Sequence, residues 1–220
     1  MRVWLLFYVM MGVALAGPSV EVQLWRPEPE RGVVLGHEAV AQSKVLREVL
    51  YFRKGESVVV CRCNGLRPSA EVVLEEGGAW QVCVRRDGEL VEVARVDVHA
   101  EGRHAMVCVP QGERYWTLLV AMGDLRGGGA YVYNASDSGV RVKVAGGRRL
   151  SLGAREGKVL AGKRGAQHWT VDSEGAEGWR KEWMRGFEVQ PNALCLFYRQ
   201  GGVLGVHWFQ GFSGATGSGR

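Results

Sequence analysis

The segment 140–144 reads Val-Arg-Val-Lys-Val and places the strongest constraint on the fold of this chain. A period of two puts the valines on one face of a β-strand and the cations on the other. Gly146-Gly147 follows as a two-residue hairpin signal, and Leu150 and Leu152 continue the alternation. The preceding segment Tyr131–Tyr133 is aromatic and β-branched, as strands are. We therefore expect an antiparallel meander here, with one buried and one wet face.

Similar short segments recur along the chain, and dipeptides such as Asp87-Gly88 and Gly201-Gly202 separate them as hairpin turns. Strands of about five to eight residues with turns every eight to twelve indicate an all-β sandwich or barrel. We predict two small antiparallel β-sandwich domains in tandem, immunoglobulin-like or similar. The first spans 17–126, the second spans 127–212 from the linker Gly127-Gly128-Gly129, and 213–220 is a flexible Gly/Ser-rich tail.

The two halves follow a similar order of strands and turns, which suggests an internal duplication. A shift of 87 residues sets Cys108 on Cys195. The same shift sets Val84 on Val171. Because few identities support this alignment, two unrelated β domains of similar style are the alternative.

The stretch before Arg53 has no single interpretation. Residues 38–49 fit one short helix, whereas residues 44–53 fit a strand. Both alternatives stay open at this stage.

Residues 1–16 have the pattern of an export signal. Arg2 precedes an apolar run, and Ala14-Leu15-Ala16 is a small-x-small cleavage site. An uncleaved anchor is the alternative, but a comfortable membrane span needs about 20 residues. We expect an exported protein, periplasmic or extracellular, with no transmembrane segment after cleavage.

Charge is distributed unequally between the halves. Residues 17–126 carry 14 basic and 16 acidic side chains, whereas residues 127–220 carry 13 basic and 7 acidic ones. The cations that form the candidate anion-binding surface are Arg141, Lys143, Arg148, Arg149, Lys158, Lys163 and Arg164. Such a cluster suits an acidic surface polymer, although most charge clusters are only solvated faces. Export argues against nucleic acid as the partner.

Trp179 and Trp183 lie four residues apart in a predicted strand, so they should share one face. Exposed aromatics on a sheet stack on sugar rings or anchor a protein partner, but tryptophans are more often core. Arg180 and Lys181 beside them would make a mixed aromatic and basic surface.

Five cysteines occur, and Cys61 and Cys63 should lie on the same face of one strand. A disulfide from either of them to Cys83 or Cys108 is open in an exported protein, and the pairing cannot be deduced from sequence. Cys195 lies in an apolar segment and is most simply a buried small hydrophobe.

The sequence contains only weak matches to known catalytic and metal-binding motifs. The segment 157–164 approximates a phosphate-binding loop but has Arg164 where Ser or Thr must hold magnesium. His99, Glu101 and His104 could approach a metal around a turn, but a structural site needs a fourth ligand. Glu182 and Glu188 are the acids a concealed hydrolase would use, although no spacing selects them. We therefore predict no cofactor, no metal and no enzymatic activity.

Three segments of the chain carry a resemblance to a known group of proteins. They are residues 129–144, the aromatic segment 183–185 and the strand Leu194–Tyr198. The chain resembles a group of uncharacterised, secreted, β-rich proteins of environmental Gram-negative bacteria. The resemblance covers most of the chain after residue 16, and it implies architecture and export without an activity or site residues.

These observations favour a non-enzymatic envelope or cell-surface interaction or structural module. A glycan- or anionic-polymer-binding module is the alternative, and an unrecognised hydrolase is the third hypothesis. An envelope protein or an acidic surface polymer is the expected partner.

Overall fold

The computed structural model describes residues 17–26, 47–65, 67–125, 129–160, 165–190 and 192–212. Within these ranges the regular elements are β-strands and one 3-10 turn, Met122–Leu125. The strands of the first half are β1 Ser19–Leu24, β2 Arg47–Lys54, β3 Ser57–Asn64, β4 Val72–Val73, β5 Gly78–Arg86, β6 Glu89–Val98, β7 Arg103–Gln111 and β8 Arg114–Ala121. Those of the second half are β9 Ala130–Asn134, β10 Val140–Val144, β11 Arg148–Leu152, β12 Gly157–Leu160, β13 Gly165–Gly175, β14 Gly178–Val189, β15 Ala193–Gln200 and β16 Val203–Phe209.

Each half is a sandwich of two four-stranded sheets. In the first sandwich the inner sheet has the order β4-β1-β7-β8 and the outer sheet has the order β3-β2-β5-β6. In the second sandwich the inner sheet is β12-β9-β15-β16 and the outer sheet is β11-β10-β13-β14. The first strand of each half runs parallel to the seventh, and the other pairings are antiparallel. The predicted all-β fold of two tandem sandwiches is confirmed.

The two sandwiches share one topology, but the expected 87-residue shift is wrong in register. The buried residues Trp80 and Trp169 are 89 residues apart and occupy the same place in β5 and β13. Both strands then have a bulge directly after the next inward valine, Val82 or Val171. This register matches Cys195 with Met106 instead of Cys108. The two shifts differ by two residues, and a change of two leaves every side chain on the same face of its strand. The apolar pattern therefore could not distinguish the two registers.

The expected meander is divided between two sheets. β10 and β11 form the predicted hairpin, with Gly146 and Gly147 at φ +96° and +94°. β9 instead belongs to the inner sheet, and residues 135–139 cross between the layers. The buried Asn134 side chain holds this crossing, since its amide donates to Ser138 O at 2.7 Å and to Gly153 O at 2.8 Å. The turn residues were predicted correctly, but they join layers rather than neighbouring strands.

Alternation along the strands builds three apolar layers. One core lies inside each sandwich, centred on Trp80 in the first and on Trp169 in the second. The third lies between the inner sheets, where Val107 and Leu118 meet Leu196 and Phe209. Fully burying one tryptophan contributes roughly 4–6 kcal/mol before entropy costs, from about 150–250 Å² of burial. The four sheets therefore stack in series, which leaves the two outer sheets with one solvent face each.

Several expectations lie wholly or partly outside the described residues. The proposed signal 1–16, residues 126–128 of the linker region and the tail 213–220 are among them. For the ambiguous stretch before Arg53, residues 47–54 form a strand, so the helical alternative is wrong for its last residues. No helix in the described ranges is long and apolar enough to cross a membrane.

Candidate functional site

The solvent face of the outer sheet in the second sandwich gathers most of the predicted cations. Arg141 and Lys143 project from β10 on the side opposite its three buried valines. Arg149 lies directly across from Lys143, and Asp172 lies between Arg141 and Lys181. Neighbouring strands are about 4.8 Å apart, so these charges form a regular grid.

Trp179 is the aromatic centre of this surface. The guanidinium carbon of Arg141 lies 3.5 Å from the centroid of the Trp179 ring, and the Trp179 residue as a whole is 37% exposed. Gly139 provides room for this arrangement, because a Cβ there would lie 3.0 Å from Trp179 Cη2 and 2.7 Å from Glu174 Oε2. The indole, a guanidinium and a carboxylate therefore adjoin one another above a glycine.

We call this surface the Trp179 face. Its members are Trp179, Arg141, Glu174, Lys143, Asp172, Arg149 and Lys181. Stacking leaves the N–H groups at the edge of the Arg141 guanidinium directed sideways, in the geometry that binds carboxylates bidentately. Lys143 is largely neutralised, since its Nζ lies 2.7 Å from Asp172 Oδ2. Arg141, Arg149 and Lys181 are the cations left to meet an anionic ligand.

The remaining predicted cations lie elsewhere or outside the description. Arg148 pairs with the inward-facing Val144 at the edge of the sheet. Lys158 belongs to the inner sheet, forms an ion pair with Glu156 at 2.7 Å and donates to Ser151 O at 2.9 Å. Lys163 and Arg164 fall outside the described residues. The predicted cluster is thus only partly one surface.

The expectation that Trp179 and Trp183 share a face is wrong. Register shifts at Val171/Asp172, so that β14 carries Glu182 as an extra residue between its paired positions. One extra residue reverses the alternation, as β-bulges do. Trp183 consequently packs inward against Phe197 and donates its indole N–H to Leu204 O at 3.1 Å. Trp183 is a core residue and Trp179 is a surface residue.

Glu182, the bulge residue, is held by a polar cluster inside the open end of the second sandwich. It accepts hydrogen bonds from Ser173, Arg180 and Arg199, and Arg199 comes from the inner sheet. Burial raises the pKa of Glu182, but these hydrogen bonds and the two guanidinium charges outweigh it and lower the pKa overall. A carboxylate kept ionised in this way anchors the bulge, and this does not suit a general acid. Glu188, the other suspected acid, is exposed and pairs with Ala166 across the hairpin.

The first sandwich has different residues at the equivalent positions. Val84 and Val93 are buried where the second sandwich has Ser173 and Glu182. On its solvent face, Arg85 lies 5.5 Å from the Tyr51 ring centroid, and Val60 is 52% exposed. The closer stack of a guanidinium on an indole is therefore found on the second sandwich, whereas the first presents a more apolar edge.

The five cysteines are free thiols and all are buried. The sequence left open a disulfide from Cys61 or Cys63 to Cys83 or Cys108, and the structure forms none of these. Cys83 faces away from the first core, opposite Tyr51 and Glu92. Cys61 and Cys63 do share one face of β3, as predicted.

His99 and His104 stack at 5.9 Å and line a cavity of about 170 Å³ between the sandwiches, with Asp97 and Tyr131. His104 is buried and its Nδ1 lies 3.3 Å from Ser19 O. Within the described ranges no group of three or more His, Cys, Asp or Glu side chains is arranged to hold a metal ion.

No family model and no curated protein matches this chain. The resemblance to secreted β-rich proteins of Gram-negative bacteria therefore stays a prediction. Sequence reasoning missed Asp172 and Glu174 as members of the Trp179 face, and it missed Gly139 as the residue that makes room for Trp179 and Glu174. The alternation of Asp172 and Glu174 with the apolar residues of β13 was the available signal. Their neighbours on β10 and β14 could not be found without the register.

Proposed function

We propose that the protein is a non-enzymatic, exported binding module whose Trp179 face binds an acidic polysaccharide. The observation that carries this proposal is the 3.5 Å stack of Arg141 on the exposed Trp179 ring. An aromatic plane gives a sugar ring an apolar platform, and a stacked guanidinium offers a carboxylate two parallel N–H groups.

Charge on the surrounding grid favours the same ligand class. Arg149 and Lys181 add exposed cations on either side of the stack. Glu174 is an exposed acceptor that adjoins the ring and suits sugar hydroxyl groups. A polyuronate is preferred to a polynucleotide as the ligand because export, which we expect from the sequence, argues against a nucleic-acid partner.

The test is calorimetric titration of the protein with polygalacturonate at low and high salt. Replacing the guanidinium in Arg141→Met should weaken binding about 10- to 100-fold, because a charge-assisted hydrogen bond contributes about 1.5–3 kcal/mol. Trp179→Ala should produce a loss of similar size. The matched control is Arg85→Met, which removes an arginine lying over a tyrosine on the opposite outer sheet. It should bind as the wild type does.

Binding should also fall as salt rises, since exposed charges are screened within about 10 Å at 0.1 M salt. Equal losses in the Arg141 and Arg85 variants would show that only net charge matters. Unchanged affinity in Trp179→Ala, or tighter binding to DNA than to polygalacturonate, would contradict the proposal.

A second candidate function rests on the outer sheet of the first sandwich. Its edge strand β3 exposes Val58 and Val60, which are 44% and 52% accessible, beside the exposed Val49. An apolar edge strand is a surface that proteins usually protect, so an edge that no described strand covers favours docking of an envelope protein by strand pairing. Val60→Lys should abolish a high-salt-resistant protein complex from native envelope. A complex that survives this substitution would exclude the β3 edge.

A further inference from the structure

Two thiols meet on one strand of the first sandwich. Cys61 and Cys63 flank the exposed Arg62, so both side chains point into the apolar core. Their residues are 1% and 5% exposed, and their sulfur atoms lie 3.3 Å apart. The contact places two soft ligand atoms side by side on one strand.

Strand geometry decides what this pair can form. Residues two apart in a strand have Cβ atoms roughly 6.6 Å apart, from a rise of about 3.3 Å per residue. A disulfide needs Cβ atoms about 3.5–4.5 Å apart, so β3 would have to bend sharply to close one. A bridging ion with metal–sulfur bonds of about 2.3 Å accommodates sulfur separations up to about 4.6 Å. Rotation about the side-chain bonds reaches that range while the backbone stays in place.

We propose that Cys61 and Cys63 bind one copper(I) ion between their sulfur atoms. Thiolate ligands select soft ions, and copper(I) is satisfied by two sulfurs, whereas structural zinc takes four ligands. Binding breaks two S–H bonds and forms two Cu–S bonds. The two protons leave to water, and neither copper nor sulfur changes oxidation state.

The edge of the sheet gives an ion access to the two sulfur atoms. Entry is available because β3 is an edge strand and Cys63 is the residue before its last, Asn64.

Space filling is the competing explanation for these cysteines. The residue equivalent to Cys61 in the second sandwich is Leu152. Cys61 lies across from Leu50, which pairs with Val84. Leu152 lies across from Val140, which pairs with Ser173, the counterpart of Val84. Leucine fills that place in the second sandwich with 1% exposure. Cysteines that only fill space in the core would not bind copper(I) specifically. A measurement of metal binding therefore distinguishes space filling from a copper site.

The experiment is an anaerobic titration of the reduced, full-length protein with copper(I) in competition with a chromogenic copper(I) chelator. We expect the wild type to retain one equivalent of copper. Cys63→Ala should lower the affinity at least tenfold. Cys195→Ala is the matched control, because Cys195 is equally buried but isolated in the second core, and it should retain the wild-type affinity.

A second measurement needs no variant. Copper K-edge absorption of the loaded wild type should show two sulfur ligands. Nitrogen or oxygen ligands would overturn the proposal. Failure of the wild type to compete with the chelator, or equal retention by Cys63→Ala, would overturn it as well.

Discussion

His207 should make the contact between the two sandwiches sensitive to acid. Its ring stacks on Trp25 at 4.9 Å and meets Phe209 at 4.6 Å, in the layer between the inner sheets. Burial in this aromatic environment lowers the pKa of His207 from 6.5 to about 4. The folded protein therefore keeps this imidazole neutral at a pH where the unfolded chain protonates it.

The sign and size of the effect follow from linkage. Between pH 6.5 and pH 4 the unfolded state binds one more proton than the folded state, so the free energy of unfolding decreases as pH falls through this range. A tenfold difference in proton affinity corresponds to about 1.36 kcal/mol, so the loss is about 3 kcal/mol at most below pH 4. Above pH 6.5 this contribution is constant.

Urea unfolding at stepped pH measures this effect. His207→Phe keeps an aromatic ring against Trp25 and removes the titration, so it should lose about 3 kcal/mol less than wild type between pH 6.5 and pH 4. The control is His168→Gln, because this substitution removes an exposed histidine that lies outside the layer between the inner sheets. Parallel pH profiles for wild type and His207→Phe would show that His207 is not the group responsible.

Two further substitutions test the surface and its support. Gly139→Ala should displace Trp179 and Glu174, because its Cβ would lie within 3.0 Å of both side chains. Calorimetry should show several-fold weaker polygalacturonate binding, while the free energy of unfolding should change by no more than about 0.5 kcal/mol. Unchanged affinity would show that the Trp179 face does not bind the polysaccharide. Glu182→Gln should lower the free energy of urea unfolding at pH 7 by about 1–3 kcal/mol, since two arginines lose their anionic partner. The deficit should vanish as pH falls through the lowered pKa of Glu182, and equal stability of the two proteins at pH 7 would exclude this role.

Local patterns predicted what local forces determine. Alternation identified the β10–β11 hairpin, and Asp87-Gly88 adopts positive φ at both positions, as its dipeptide signal requires. The same reasoning placed Cys61 and Cys63 on one face. Each of these features is decided within a few residues of sequence.

Features that depend on distant partners were not predictable in this way. The bulge at Glu182 adds one residue that no sequence pattern marks, and it reversed the expected orientation of Trp183. β9 lies in the inner sheet, where it pairs with β12 and β15. Both strands come much later in the chain, so the sequence near β9 could not indicate which sheet it joins. The stack of Arg141 on Trp179 likewise joins strands separated by the whole of β11 to β13.

Nuclear magnetic resonance of the tryptophan indole N–H groups would show directly whether Trp179 contacts the polysaccharide. The chain has eight tryptophans, and each gives a separate probe of its surroundings. On titration with oligogalacturonate, the Trp179 signal should shift, while those of the buried Trp80 and Trp169 should stay in place. A shifted Trp179 signal that returns at high salt is the predicted result. An unmoved Trp179 signal under conditions where the oligosaccharide binds would contradict the account.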